Sequence, residues 1–144
     1  MQKITPFLWF DGQAEEAAKF YTSVFRNSKL GGVSPMAASF ELEGLEFTAL
    51  NGGPRFKFTE AISLYVNCET QDEVDYYWDR LGDGGQIQQC GWLKDRFGIS
   101  WQVIPSVLPT LLSSPEQEKA GRAMQAMMQM QKIDIAALQK AYDG

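Results

Sequence analysis

Two polar side chains, Glu46 and Gln102, interrupt segments that are otherwise apolar and strand-like. Gln102 stands between Trp101 and Val103 in the stretch CGWLKDRFGISWQVIP, residues 90–105. A carboxylate such as Glu46 can act as a general base where burial raises its pKa. An amide offers two donors and two acceptor lone pairs, which suit the orientation of a small polar ligand. Glu46 is therefore a candidate catalytic base, and Gln102 a candidate ligand contact. The alternatives are a solvent-facing strand residue and a satisfied structural amide.

The residue counts exclude several kinds of catalysis. The 144 residues include no histidine, which rules out Ser-His-Asp and Cys-His nucleophile pairs in this chain. It also removes the commonest ligand of catalytic zinc, iron or nickel. The two cysteines, Cys68 and Cys90, are predicted to be free thiols in a reducing cytoplasm, because no signal sequence is evident. Cys90 has no evident cationic partner, so a structural role is favoured over a nucleophilic one.

Composition and length predict a single folded domain. Hydrophobic residues make up 44% of the chain, aromatic residues 12%, and the net charge is −5. This mild acidity, with basic residues scattered along the chain, argues against nucleic acid as a partner. No apolar run approaches the roughly 20 residues needed to cross a bilayer, so no membrane partner is expected.

An internal repeat organises most of the chain. Residues 8–25 align without a gap on residues 64–81, and both segments read as a strand, a turn and a helix. Three short strand-like runs follow each helix, so the repeated unit is βαβββ. We expect module 1 at about residues 1–56, module 2 at about 57–112, and a C-terminal helical tail at about 113–144. The fold class is then α+β, with both modules forming a curved mixed sheet around a cup.

The boundaries of the elements follow from turn and cap residues. Asp11 and Thr70 are predicted N-caps of the two module helices, since their side-chain oxygens can accept orphan backbone N–H groups. The predicted strands are Lys3–Phe10, Lys29–Val33, Met36–Leu42 and Leu45–Asn51 in module 1, and Ala61–Cys68, Gly85–Cys90, Trp92–Asp95 and Ser100–Ile104 in module 2.

Alternation along the strands separates a core face from a polar face. The repeat pairs Glu46 with Gln102, and Thr5 with Ala61. The residues predicted to pack on the helices are Pro6, Leu8, Phe10, Phe47, Ala49, Ile62, Leu64, Val66, Trp101 and Val103. The residues predicted to line the cup and bind a ligand are Thr5, Phe7, Trp9, Glu46, Thr48, Ala61, Ser63, Tyr65, Ser100 and Gln102.

The doubled βαβββ unit resembles the glyoxalase, or vicinal oxygen chelate, superfamily. The segment DRFGISWQV, residues 95–103, is similar to its D-P-x-G-x-x-x-E-L signature, with Gln102 at the glutamate position. The segments ITPFLWFDGQAEEAAKFYTSVF, FTALNGGPRFKF, CGWLKDRFGISWQVIP and KIDIAALQKA resemble the PhnB-like family, which carries the label 3-demethylubiquinone-9 3-methyltransferase. The chain departs from the family in the abrupt segment GGVSPM and in Arg55, where relatives commonly have histidine.

The resemblance implies where a metal would bind in metal-dependent relatives. Those places fall on Thr5, Glu46, Ala61 and Gln102. One carboxylate, one amide, one hydroxyl and one methyl group make a poor transition-metal site, so we expect no metal and no cofactor. The resemblance also implies a homodimer.

Two glycine-rich segments and the start of the tail have further possible roles. NGGPRFKF offers free backbone N–H groups beside Arg55 and Lys57 that suit an anion, although a linker is the commoner role. LGDGGQ, residues 81–86, follows a helix, so it is not a nucleotide-binding loop, and nothing in the sequence indicates an S-adenosylmethionine site. In the tail, Ser114 and Pro115 predict a helix start.

The rest of the tail predicts packing of apolar helices. Met124, Met127 and Met128 form a stripe that packs on the parent domain or on a partner subunit, and a final helix is expected at about Asp134–Tyr142.

The leading functional interpretation is a small-molecule-binding protein of the glyoxalase type, without a metal and with an unidentified ligand. The alternatives are a non-catalytic protein that sequesters a ligand, as in resistance, and a metal-dependent lyase, isomerase or dioxygenase. A methyltransferase is the least supported activity. Whether the protein is an enzyme stays open at this point.

Overall fold

The computed structural model describes residues 2–144. The chain divides into two compact units, Met1–Phe58 and Thr59–Gly144. Each unit contains a four-stranded mixed sheet, and each begins with the order strand, helix and three strands. The predicted α+β class with a repeated βαβββ module is therefore confirmed.

The sheet of unit 1 has the order β1-β4-β3-β2. Strand β1 runs parallel to β4, while β3 is antiparallel to both β4 and β2. A parallel pair needs a long crossover connection, and the segment from α1 to β3 provides it. The elements are β1 Phe7–Phe10, α1 Ala14–Val24, β2 Ser28–Val33, β3 Ala37–Leu42 and β4 Leu45–Asn51.

Unit 2 repeats this topology and adds helices. Its sheet has the order β5-β8-β7-β6, with β5 parallel to β8. The elements are β5 Ser63–Cys68, α2 Gln71–Gly82, β6 Gln86–Ile87, β7 Trp92–Lys94, β8 Ser100–Pro105, α3 Val107–Leu112, α4 Gln117–Met128 and α5 Ile135–Asp143. Within residues 2–144, no helix is both long enough and apolar enough to cross a membrane.

The helix starts test the predicted caps. Thr70 caps α2 as expected, because its hydroxyl accepts a hydrogen bond from the Glu73 N–H at 3.2 Å. The prediction for Asp11 is wrong: α1 begins at Ala14, whose N–H donates to the Asn51 side chain at 2.8 Å. Asn51 ends β4 directly opposite Phe10, so an amide from the neighbouring strand replaces the local cap.

The tail helices also shift relative to expectation. Helix α4 begins at Gln117, since Glu116 has non-helical backbone angles. Ser114 accepts the Glu116 N–H at 3.2 Å and lies 2.8 Å from the Tyr142 hydroxyl, so it orders the connection and is not the cap residue of the helix. The final helix is confirmed: Asp134 caps α5 by accepting the Ala137 N–H.

Alternation along the strands places most core residues correctly. The core-facing residues buried on this face are Phe10, Phe47, Ala49, Val66, Trp101 and Val103, whereas Pro6, Leu8 and Leu64 are only partly buried. The prediction for Ile62 is wrong, because its side chain is 75% exposed. Strand β5 begins at Ser63, two residues after the predicted start at Ala61. Ile62 therefore belongs to the preceding turn, and strand alternation does not apply to it.

The tail packs on the module-2 part of unit 2. Its apolar cluster consists of Ile104, Leu108, Leu111, Ala123, Ile133 and Leu138. Backbone hydrogen bonds from Cys90 to Met130 and from Gly91 to Gln131 attach it further. The methionine stripe splits: Met127 packs against the cluster, while Met124 and Met128 are 46% and 54% exposed. One of the three methionines of the stripe thus packs on the parent unit, as one of the two expectations had it.

Candidate functional site

The polar face of the module-1 sheet carries a cavity of about 400 Å³. Three of the predicted ligand contacts, Thr5, Glu46 and Thr48, line it. Phe40 and Phe47 also belong to the lining, but both are buried, and strand alternation directs the side chains beside them to the cavity. The other polar side chains of the lining are Lys29, Ser39 and Glu41, none of which the sequence analysis singled out.

Strand register sets these side chains in two rows. Glu41 pairs directly with Glu46 and also with Lys29 on the other side. Two residues along each strand, on the same face, Ser39 pairs with Thr48. Side chains directly opposite in an antiparallel pair lie on the same face with their Cβ atoms about 5 Å apart. The cavity therefore presents a charged row beside a hydroxyl row.

Gln2 attaches the segment before β1 to this face. Its amide donates to the Glu46 carbonyl at 3.0 Å and accepts from the Glu46 N–H at 3.0 Å, as a neighbouring strand would. The predicted strand Lys3–Phe10 is therefore shorter in the structure, but the side chain of Gln2 continues its pairing. The Gln2 amide also donates to the hydroxyl of Thr5 at 3.4 Å, and Thr5 lines the cavity. The sequence pattern gave no signal for these contacts of Gln2.

Trp9 has a structural partner in the segment NGGPRFKF. Its indole N–H donates to the Gly53 carbonyl at 2.9 Å, and its ring meets Phe56 edge-on with centroids 4.9 Å apart. A Cβ atom at Gly52 would collide with the indole, so glycine is required there. Phe7, the other predicted aromatic contact of module 1, is 63% exposed.

The corresponding face of module 2 is largely paired with itself. The Gln102 amide donates to the Ser63 hydroxyl at 2.9 Å, so two predicted ligand contacts bind each other. Tyr65, opposite Gln102 in the parallel pair, is 45% exposed, and burial raises the pKa of its phenol. Ala61 is exposed in the turn before β5.

An ion pair covers the end of this face. Lys94 pairs with Ser100 across β7 and β8, and its ammonium lies 3.1 Å from the Glu60 carboxylate. This pair lowers the pKa of Glu60. Ser100 is only 1% exposed and its hydroxyl has no hydrogen-bond partner within residues 2–144. The structure thus places Ser100, a predicted ligand contact, beneath the surface.

Asp95 organises the turn that carries Gln102 into the sheet. Its carboxylate is buried and accepts from the Phe97 N–H at 2.9 Å, the Ile99 N–H at 3.1 Å and the Trp101 indole at 2.8 Å. Asp95, the aspartate of DRFGISWQV, therefore stabilises the conformation of this turn. Sequence analysis missed this because nothing in the pattern shows that the indole turns back onto the turn.

The side chain of Arg96 packs against the glycine-rich turn that follows α2. Arg96 donates to the Asp83 carbonyl at 3.2 Å and to its carboxylate at 3.1 Å. The Arg96 side chain would also lie 3.4 Å from a Cβ atom at Gly84. The turn is thus occupied by the protein's own guanidinium, which agrees with its exclusion as a nucleotide loop.

The positions that hold metals in metal-dependent relatives do not fit a metal here. Ala61 has no donor atom, and the Gln102 amide is directed to Ser63. Among residues 2–144, no group of three or more His, Cys, Asp or Glu side chains comes close enough to hold an ion. A transition metal needs several charged or imidazole donors, so no chemical step is assigned to one.

Comparison with known proteins places the chain in a family. The family described as 3-demethylubiquinone-9 3-methyltransferase matches residues 2–104. A PhnB protein of that type from Bacillus cereus is 39% identical, with a TM-score of 0.68; the alignment covers 73% of this chain and all of the other. The part of this chain outside the alignment therefore has no counterpart in that protein. A search of curated proteins found no match.

More distant structures share the fold. A Pseudomonas aeruginosa protein is 22% identical with a TM-score of 0.62, covering 73% of this chain and 98% of the other. The fosfomycin resistance protein FosX from Listeria monocytogenes, solved with Mn(II) and sulfate, is 17% identical with a TM-score of 0.53. That alignment covers 70% of this chain and 88% of FosX. At these identities the likeness concerns the fold alone.

Proposed function

The chain belongs to the 3-demethylubiquinone-9 3-methyltransferase family, of the PhnB-like type with a glyoxalase-like fold, and on that premise we propose that it binds a small molecule without a transition metal. The observation that supports this most is the cavity of about 400 Å³ on the polar face of module 1. That volume lies within the range of small-molecule sites, and a few placed polar groups among strands are their usual lining.

The proposed contacts are the residues of the two polar faces. They comprise Thr5, Phe7, Trp9, Glu46 and Thr48 in module 1, and Ala61, Ser63, Tyr65, Ser100 and Gln102 in module 2. Support is strongest for Thr5, Glu46 and Thr48, since they share one cavity. One hydrogen bond joins Gln102 to Ser63, so the second Gln102 N–H, the Gln102 amide oxygen and the Ser63 O–H are the groups that can bind a ligand.

Binding without a transition metal is proposed because the chain offers few side-chain atoms that could coordinate one. FosX was solved with Mn(II), so the fold itself is compatible with a metal. This chain lacks histidine altogether, and Ala61 supplies no donor. Elemental analysis of the purified protein after dialysis is the test: we expect no stoichiometric transition metal, and about one tightly held ion per chain would overturn this part.

A second candidate, ligand sequestration without catalysis, is favoured by the state of Glu46. Its side chain is exposed and has no ion-pair or hydrogen-bond partner within residues 2–144. A general base needs a held geometry relative to the proton that it removes. An enzyme would depend on the Glu46 carboxylate for turnover, whereas a sequestering protein would need it only for affinity.

The proposal also includes the protein's setting. Both cysteines are free, which suits a cytoplasmic protein, and exposed Met124 and Met128 provide an apolar surface for a homodimer. We further propose that the two modules and the tail make one domain of 144 residues. Light scattering at micromolar concentration tests the dimer, and a monomer mass would contradict it.

Native mass spectrometry of gently purified protein tests the binding function. We expect a co-purified small molecule whose mass is lost on denaturation, and a lower occupancy in the variant Thr48→Val, which removes a cavity hydroxyl at nearly constant volume. The control Thr22→Val removes a hydroxyl that bonds only its own helix. Equal occupancy in both variants, or no bound species from any host extract, would contradict the proposal.

A further inference from the structure

The charged row of the module-1 cavity indicates the class of ligand. Lys29, Glu41 and Glu46 lie on three adjacent strands, in register and on one face, and all three line the cavity of about 400 Å³. Adjacent strands are about 4.8 Å apart. From the Lys29 strand to the midpoint between the two glutamates is therefore about 7 Å.

None of these three side chains forms an ion pair among residues 2–144, although Lys29 lies directly across the strand from Glu41. Two glutamates directly opposite on antiparallel strands repel each other, so a cation placed between them would relieve this repulsion. Lys29 stands at the other end of the row, where it can meet a negative group.

The hydroxyl row completes the lining. Ser39 and Thr48 face each other two residues along each strand, and Thr5 lies at the same cavity. A Cβ atom at Gly31 would collide with the Ser39 hydroxyl oxygen, so this glycine accommodates the hydroxyl at the cavity. Neutral donors and acceptors thus surround the charged row without adding charge of either sign.

We propose that the module-1 cavity binds a zwitterionic small molecule, with its amine between Glu41 and Glu46 and its acidic group at Lys29. This inference rests on the proposed binding function and deepens it by naming the class of ligand. A linear molecule whose amine and acid lie about 7 Å apart matches the spacing of the row. Glu41 and Lys29 become residues that determine specificity.

Amide chemical shifts of the labelled protein, titrated with 6-aminohexanoate, test the inference. We expect saturable shifts at residues 39–41 and 46–48. Hexanoate and hexylamine, which each lack one charge, should need about tenfold higher concentrations, since one charge-assisted hydrogen bond contributes about one decade of affinity.

Variants separate the two ends of the row. Glu41→Gln should raise the half-saturation concentration of 6-aminohexanoate about tenfold, and Lys29→Gln should abolish its advantage over hexylamine. Glu16→Gln, an exposed change on α1 outside the cavity, should leave binding unchanged. The spectrum of each variant also reports whether it is folded.

Several results would overturn the inference. They are the absence of saturable shifts at residues 39–41 and 46–48, equal binding of hexanoate, an unchanged half-saturation in folded Glu41→Gln, and saturation by CaCl₂ in place of the amine. These failures are distinct from failure of the proposed function. If native mass spectrometry still finds a bound molecule in the wild-type protein, the protein is a binder and only its assigned ligand class is wrong.

Discussion

The sheets of the two modules have the same strand topology, but the polar side chains on their corresponding faces differ in whether they have partners. In module 1, Glu46 and its cross-strand neighbour Glu41 have no ion-pair partner among residues 2–144. In module 2, the equivalent residue Gln102 is bonded to Ser63, and Lys94 is paired with Glu60. One face has unpaired charges beside a cavity, whereas on the other face Gln102 and Lys94 both have side-chain partners.

This difference shows how a repeated fold can divide its tasks. Unpaired charged groups on a sheet face do not stabilise the fold. Such groups are therefore candidates for contacts with a ligand. Paired groups such as Gln102 and Ser63 stabilise the sheet and offer less to a ligand. Equivalent positions in a repeat therefore need separate physical assignments, even where strand register makes them correspond.

The largest expected effect concerns the core face, where the modules are alike. Trp101 is buried and its indole donates to buried Asp95. Trp101→Ala should lower the free energy of unfolding by about 3–5 kcal/mol, the usual loss for an emptied aromatic core position. Urea denaturation measures it. A loss below about 1 kcal/mol would mean that Trp101 is not a core residue.

Thiol labelling examines module 2 alone, since both cysteines belong to it. Burial, with smaller contributions from Glu73 and Glu69, raises the pKa of Cys68 to about 12. At pH 8 the native protein should therefore label at Cys68 at least about a hundredfold more slowly than at partly exposed Cys90. Mass spectrometry of a labelling time course measures both rates, and equal rates would show that Cys68 is accessible.

The same thiol makes stability depend on pH. The folded state keeps the Cys68 proton to a higher pH than the unfolded chain, whose thiol ionises near its ordinary value of 9.0. The protonated Cys68 thiol therefore makes its full contribution to the free energy of unfolding below pH 9, and this contribution is lost as the pH rises toward about 12. Cys68→Ala should weaken that part of the alkaline loss, which urea melts at pH 8 and pH 10.5 can measure.

The hydrogen bond between Gln102 and Ser63 provides a smaller test. Gln102→Leu and Ser63→Ala should each cost about 1 kcal/mol or less, and the double variant should cost less than their sum. A double-mutant cycle by urea denaturation gives the coupling. Full additivity would show that the two side chains do not stabilise each other, and the contrast between the modules would weaken.

The smallest effect is expected at Glu46. Glu46→Gln removes one of two opposed carboxylates, so it should leave stability unchanged or raise it by a few tenths of a kcal/mol. Glu43→Gln is a suitable control, because Glu43 lies in the turn between β3 and β4, outside the cavity lining. A destabilisation above about 1 kcal/mol would mean that Glu46 already has a stabilising partner.

Sequence reasoning was sufficient for features that repeat or alternate. The internal repeat predicted both modules, and alternation placed Phe47, Ala49, Trp101 and Val103 in the core. It failed where a single side chain replaces backbone pairing or a local cap. Gln2 on Glu46 and Asn51 on Ala14 are of this kind, and both join residues that are distant in the chain.

The lining of the module-1 cavity was predicted only in part for the same reason. The polar face was identified from β1 and β4, which the repeat aligns, so Thr5, Glu46 and Thr48 were found. Lys29, Ser39 and Glu41 were missed because their place depends on the register of β2 and β3. Register follows from turn geometry and from the packing of both faces, which the sequence pattern did not define in this region.

Mapping small-fragment binding by amide chemical shifts tests the central claim most directly. A mixed set of soluble acids, amines and zwitterions is titrated into the labelled protein, and perturbed amides are assigned to a module. The account predicts shifts concentrated at residues 29–31, 39–41 and 46–48 on the module-1 face. Shifts concentrated instead at residues 63–65, 92–94 and 100–102, with module 1 unaffected, would contradict it.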